Sequence, residues 1–115
     1  MFEPASQHLE ALSKFLTGEF ERVGFILESG EIVECVNICS NPVEGFDVGD
    51  ADMDLYIDDA VATWHTHPGG TKNLSVGDYD TYRGMPNLMH FIVAPDGVAA
   101  YVVDRDAVLV HEPQL

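Results

Sequence analysis

The sequence predicts an α/β (α+β) fold with a single mixed, mainly antiparallel sheet flanked by helices. Three observations carry that expectation. Two pairs of Val- and Ile-rich runs fold back on short turns, a lone strand-like run ends in histidines between them, and two helix-period segments lie outside the hairpins. The 115 residues suffice for one hydrophobic core and leave no room for a second beside it, so residues 1–115 are expected to form one domain.

In residues 4–16, Leu9, Leu12, Phe15 and Leu16 recur at helical spacing, and Thr17-Gly18 stops the helix. Residues 22–27 and 31–38 flank Glu28-Ser29-Gly30 and read as an antiparallel hairpin. Asn, Pro and Gly punctuate a loop over 39–49, with Phe46 and Val48 as a short extended piece. The acidic residues 50–59 read as a short helix or turn whose charges form a solvated face. A strand over 60–66 ends at the histidines and is broken by Pro68-Gly69-Gly70. Ser75 is a good N-cap and Asp78 stands three residues on, so SVGD forms a capping box for a helix reaching about Gly84. Residues 88–94 and 98–103 pair around Pro95-Asp96-Gly97, and 107–110 add a last strand.

Hydrophobic residues make up 46% and charged residues 22%, the balance of a folded domain. The net charge of −15 repels phosphate backbones and anionic lipid, so neither nucleic acid nor a membrane is an expected partner. No apolar run approaches the roughly 20 residues of a membrane span, and the first residues lack a signal peptide's basic start, which predicts a cytoplasmic protein. Cys35 and Cys39 are too few for a disulfide framework and read as reduced thiols beside a strand.

In a strand, residues two apart share a face, so His65 and His67 project together while Trp64 and Thr66 point the other way. Two imidazoles can then converge on one ion, and zinc takes nitrogen and carboxylate ligands at roughly 2.0–2.3 Å, with a catalytic site leaving a fourth position for water. Asp78, in the first turn of the next helix, offers the third ligand. Either half alone has a simpler reading, as two polar strand residues or as a helix cap. His90 reads as a strand histidine with a satisfied hydrogen bond, His8 and His111 as solvated, and Trp64 as packing beneath the site. Metallo-β-lactamases also begin with His-x-His but need Asp where Gly69 stands, and a zinc deaminase would need a later Cys-x-x-Cys.

The string WHTHPGGTKNLSVGD resembles the JAMM, or MPN-plus, metalloprotease signature: His-x-His, seven residues, Ser, two residues, Asp. Seven residues separate His67 from Ser75, and Val76-Gly77 separate Ser75 from Asp78. Glu21-Arg22-Val23-Gly24 resembles the family's upstream Glu-x-x-Gly, so the likeness spans residues 21–78. Thr66 replaces a usual Ser, and Val23 stands where Cys or Met is frequent. The resemblance implies the JAMM/MPN (cytidine-deaminase-like) fold and a zinc peptidase or isopeptidase. It places one Zn²⁺ per chain on His65, His67 and Asp78, with Glu21 as general base and Ser75 as oxyanion donor. Its implied partner is a protein or peptide substrate, such as a ubiquitin-like tail or a phage or host protein. The compact length leaves little room for the insertions of eukaryotic ubiquitin-cleaving members. The spacing of Asn37, Pro42 and Phe46 resembles the phage tail-assembly branch, whose longer members carry a second, cell-wall-type peptidase. That branch opens the alternatives of a phage-associated protein made in the host cytoplasm and of a tail component with a mainly structural role.

Overall fold

A computed structural model describes residues 2–111. In chain order it contains α1 (Ser6–Ser13), β1 (Val23–Leu27), β2 (Ile32–Cys35), α2 (Asp50–Tyr56) and a 3-10 turn (Ile57–Asp59). Then follow β3 (Ala60–Thr66), α3 (Val76–Arg83), β4 (Met89–Ala94), β5 (Gly97–Asp104) and β6 (Ala107–His111). The six strands make one sheet in the order β2-β1-β3-β4-β5-β6. Four neighbouring pairs are antiparallel, and β3–β4 alone is parallel, the pair whose connection holds α3. The fold is therefore a mixed α+β one, with the mainly antiparallel sheet that the hairpin pattern predicts.

Alternation along β3 and β4 divides the sheet into two unlike faces. Ala62, Trp64, Met89, Phe91 and Val93 face α1 and join Leu12, Ile26 and Ala100 in one buried cluster. On the other face Ile92 meets Tyr82 of α3 and Tyr101 in a smaller cluster. A fully buried large apolar side chain contributes roughly 1.5–3 kcal/mol, so the larger cluster carries most of the stability. Gly24 completes it. A Cβ at Gly24 would lie 1.9 Å from the Val33 carbonyl oxygen and 2.8 Å from the Trp64 indole, so only glycine lets β1 run past that ring.

Several elements differ from the sequence expectation in extent. The first helix covers Ser6–Ser13 rather than 4–16 because its exit tightens. Lys14, Phe15 and Leu16 donate to carbonyls three residues back, and Gly18 at φ 76° ends the turn. His8 is not simply solvated, since its Nδ1 accepts the Ala5 N–H at 3.0 Å at the helix start. The second strand stops at Cys35, three residues before position 38, because the Val36 N–H turns to the Asp52 carboxylate at 3.1 Å. Asn37 then bridges singly to Val48, while Phe46 leaves the extended path and lies over His65. The acidic run forms both α2 and the 3-10 turn. The β4–β5 turn is Pro95-Asp96, with Gly97 already paired to Ala94. Both thiols are free, and among the described residues no helix is long and apolar enough to cross a membrane.

Candidate metal centre and cleft

Three chain segments deliver the candidate residues to one point. His65 occupies the β3 position that faces α3. His67 follows the strand end but stays in register, its N–H bonded to the Val93 carbonyl at 2.8 Å. The lead-in to β1 is stitched alongside: Arg22 N donates to Thr66 Oγ1 at 2.8 Å, and Thr66 N donates to the Arg22 carbonyl at 2.9 Å. That stitching holds Glu21 beside the histidines, and the buried Thr66 hydroxyl serves it. Asn37 fixes Glu21 from the other side, its Nδ2 donating to the Glu21 and Gly45 carbonyls at 2.8 and 3.0 Å. Asp78 arrives on α3, whose start is set by a reciprocal capping box. Asp78 N donates to Ser75 Oγ at 3.0 Å, and Ser75 N donates to Asp78 Oδ2 at 2.9 Å.

The donor atoms converge. His65 Nε2 and His67 Nε2 are 3.0 Å apart, Asp78 Oδ1 lies 3.2 Å from His65 Nε2, and Asp78 Oδ2 lies 3.2 Å from His67 Nε2. Ligand atoms of Glu21, His65 and His67 all lie within 4.8 Å of one another. The His67 tautomer follows from its partner. A carbonyl only accepts, so Nδ1, 2.8 Å from the Thr71 carbonyl oxygen, carries a proton; the protonated ring donates from Nε2 to Asp78, and loss of that second proton leaves the Nε2 lone pair turned into the cluster. Donors bound to one tetrahedral ion at about 2.1 Å sit roughly 3.4 Å apart, close to the separations here, so the cluster has the size and the nitrogen and oxygen donors for a small metal ion, with Asp78 meeting the two histidines through different oxygens.

Burial pushes the Glu21 carboxyl up to about 7, the His67 ring pulling it back and the Asp78 charge adding to the rise. Asp78 goes the opposite way. Its burial is outweighed by hydrogen bonds from His65 and His67, which hold the carboxyl well below the usual carboxylate range. Burial lowers His65 and so favours the neutral, ligating imidazole. At His67 burial is outweighed by the hydrogen bond to Asp78, the Thr71 carbonyl and the charges of Asp78 and Glu21, and its pKa rises. Two carboxylates thus share one site with opposed proton affinities, a separation typical of divided acid–base roles.

Above the cluster opens a cleft of about 850 Å³, whose lining includes Glu21, Phe46, His67, Ser75 and Asp78. Exposed Ser75 keeps its hydroxyl proton free to donate, since Oγ accepts in the capping box. All five candidate residues, Glu21, His65, His67, Ser75 and Asp78, are therefore brought together.

Sequence reasoning missed the residues around them. Tyr82 is buried against His65, its hydroxyl 3.5 Å from His65 Nδ1, and it stacks on His90 at 4.1 Å. The Phe46 ring covers His65 at 4.4 Å between centroids, and Thr71 reaches His67 through its backbone carbonyl. Tyr82 was findable, because it stands one helical turn after Asp78 on the same face. A backbone acceptor leaves no such signal. For His90 and Trp64 the structure agrees with the sequence expectation, whereas His111, expected to be solvated, is half-buried with Nε2 3.4 Å from Glu3 Oε2. His90 is fully buried and satisfied by Thr63 Oγ1 at 2.7 Å and the Met85 carbonyl at 3.0 Å. Trp64 packs under the sheet against Phe15, its Nε1–H donating to the Val33 carbonyl at 3.2 Å.

No family model and no curated protein matches the chain. The structure is similar to the solution structure of protein DSY2949 from Desulfitobacterium hafniense, with a TM-score of 0.73 and 14% identity. The likeness covers 96% of this chain and 89% of that one. At that identity it establishes a shared mixed α+β fold and nothing narrower.

Proposed function

We propose that the chain is a zinc-dependent metallopeptidase of the JAMM/MPN-plus type that hydrolyses a peptide or isopeptide bond. One observation carries the reading: residues from three separate segments, in the family's spacing, meet at the floor of one cleft with donor separations that suit zinc. His65, His67 and Asp78 hold the ion: burial favours the neutral His65 imidazole, His67 presents Nε2 once it gives up a proton, and Asp78 holds its charge readily. Either carboxylate lies near enough to be the third ligand. Asp78 is assigned because each of its oxygens faces a histidine Nε2 and its proton affinity is low; Glu21 retains a proton affinity near neutrality.

Zinc bound there would supply Lewis acidity, lowering the pKa of water from 15.7 toward roughly 7. Glu21 takes a proton from the attacking water and returns it to the departing amine as the amide C–N bond breaks, work worth typically 10²–10⁴ in rate. Ser75 donates its hydroxyl hydrogen to the developing oxyanion. Substrate is a polypeptide, with a ubiquitin-like tail or a phage or host protein as the fitting kinds, and the site of action is the cytoplasm or an assembling phage.

The test incubates the zinc-loaded full chain and its Glu21→Gln variant with host and virion lysates, then sequences new N-termini and branched peptides. The expected result is cleavage by the wild type, slowed about 10²–10⁴-fold in Glu21→Gln with zinc retained at one per chain. Zinc bound without any Glu21-dependent product overturns the hydrolase reading in favour of a structural tail role. Asp78→Ala is expected to lose zinc stoichiometry, measured by elemental analysis; full retention sinks the ligand assignment.

A further inference from the structure

The two walls of the cleft are chemically unlike. Because β1 and β4 flank β3 on opposite sides, the segments around Glu21 and those around α3 face each other across the histidines. The β1-side wall is made by the segment before β1 and the loop after Asn37. Glu21 N donates to the Pro42 carbonyl at 2.7 Å, and Asn37 ties Glu21 to Gly45. This wall carries Glu19 and Glu44, both exposed and neither in an ion pair among the described residues, with Asn41 Nδ2 donating to Glu44 Oε2 at 3.1 Å. The opposite wall contributes Gly69, Gly70 and Gly77 with the hydroxyls of Ser75 and Thr81. None of the five Lys and Arg residues lines the cleft.

The glycines of the second wall are not required by the fold. None has a positive φ, and a Cβ at Gly69 meets nothing within 4 Å, while those at Gly70 and Gly77 meet only ordinary contacts at 3.7 and 3.8 Å. They leave a bare strip on which another backbone can lie. Between the walls stands Glu21, only 7% exposed, its carboxylate without a hydrogen-bond partner among the described residues and directed at the histidines. Apart from the ion proposed at its floor, the cleft offers no Lys or Arg to a free C-terminal carboxylate, which needs a cation or a nest of amides, and the charges of Glu19 and Glu44 along one side repel it.

Resting on the hydrolase reading above, we propose that the substrate is an internal, extended polypeptide segment carrying a Lys or Arg side chain against Glu19 and Glu44, its backbone along the glycine wall. The protein then acts within chains or at a branch and not as a carboxypeptidase. Cationic side chains also suit the field of a −15 chain, which draws them toward the cleft.

The test uses internally quenched peptides on an Ala–Gly scaffold, acetylated and amidated, with Arg, Gln or Glu scanned along the sequence, and the best Arg peptide remade with a free carboxylate end. Zinc-loaded wild-type chain is expected to favour Arg over Gln by about fivefold in kcat/KM, with Glu lower still. The preference should shrink in roughly 1 M salt, where screening acts within about 3 Å. The double variant Glu19→Lys/Glu44→Lys, with zinc stoichiometry checked, should invert the order of Arg and Glu peptides. Fluorescence anisotropy of the same peptides on Glu21→Gln reads recognition without turnover. Cleavage or binding indifferent to charge, or preference for the free carboxylate, overturns the proposal and leaves the hydrolase reading standing. Arg-selective binding with no cleavage by the wild type supports the recognition and counts against hydrolysis. No binding tighter than about 1 mM by any peptide overturns the proposal as well.

Discussion

The two faces of β3 have the same backbone and alternate residues, yet they do different work. Toward α1, Ala62 and Trp64 enter the larger apolar cluster, with Gly24 shaped to the indole. Toward α3, Thr63 and His65 meet His90, Tyr82 and Asp78 in a buried polar network with no orphaned atom among the described residues. One face is held by area removed from water, the other by directed contacts that leave lone pairs pointing at a common centre. The lesson is one of placement. A site that must keep nitrogen and oxygen atoms within a few tenths of an ångström is borne by the strand that the core already fixes most firmly.

This division can be broken by experiment. Gly24→Ala forces a methyl group into the indole and the Val33 carbonyl, and is expected to cost about 3 kcal/mol or more, a Tm drop of about 10 °C or more by calorimetry. The fraction that remains folded should still bind one zinc; loss of zinc in that fraction would merge the two faces into one unit. Tyr82→Phe acts on the other face. It removes the hydroxyl beside His65 Nδ1 and should weaken zinc binding about tenfold in a chelator competition, with metal-free stability changed by less than about 1.5 kcal/mol. Unchanged affinity would reduce Tyr82 to packing.

The smallest effect concerns Glu21 in the metal-free chain. Its folded pKa, about 7, exceeds the ordinary value of 4.5, so the folded state binds this proton more tightly than the unfolded one. The stability contributed by Glu21 is full below 4.5 and is lost as pH rises through about 7. Glu21→Gln should therefore raise the metal-free Tm at pH 8, by no more than about 5 °C, and leave it nearly unchanged at pH 4. A lowered Tm at pH 8 would show that the carboxylate is stabilised there by a partner.

The sequence made legible whatever depends on near neighbours. Period-two alternation placed 60–66 as a strand, SVGD placed the cap and first turn of α3, and Pro95 with its neighbours placed the β4–β5 turn. The meeting of His65, His67, Ser75 and Asp78 was legible for the same reason, since all four lie within one strand–loop–helix unit. What escaped depends on distant pairings. The shortened β2 follows from Asp52 capturing an amide that pattern alone assigns to the ladder, and the Asn37 clamp joins positions whose nearness only the folded sheet creates. The overlong first helix reflects apolar spacing that continues through Phe15 and Leu16, which still pack on the core after the helix has ended.

Asp78 belongs at once to the helix cap and to the candidate ion site, through the same oxygen. Oδ2 accepts the Ser75 N–H and faces His67 Nε2. An ion seated there would therefore be a structural partner of the first turn of α3, and its binding free energy would be spent partly on keeping that turn wound. Occupancy and helix order then become two readings of one equilibrium. A chelator should be felt first as fraying at Ser75 and Asp78, a local signal visible by amide exchange well before the sheet yields.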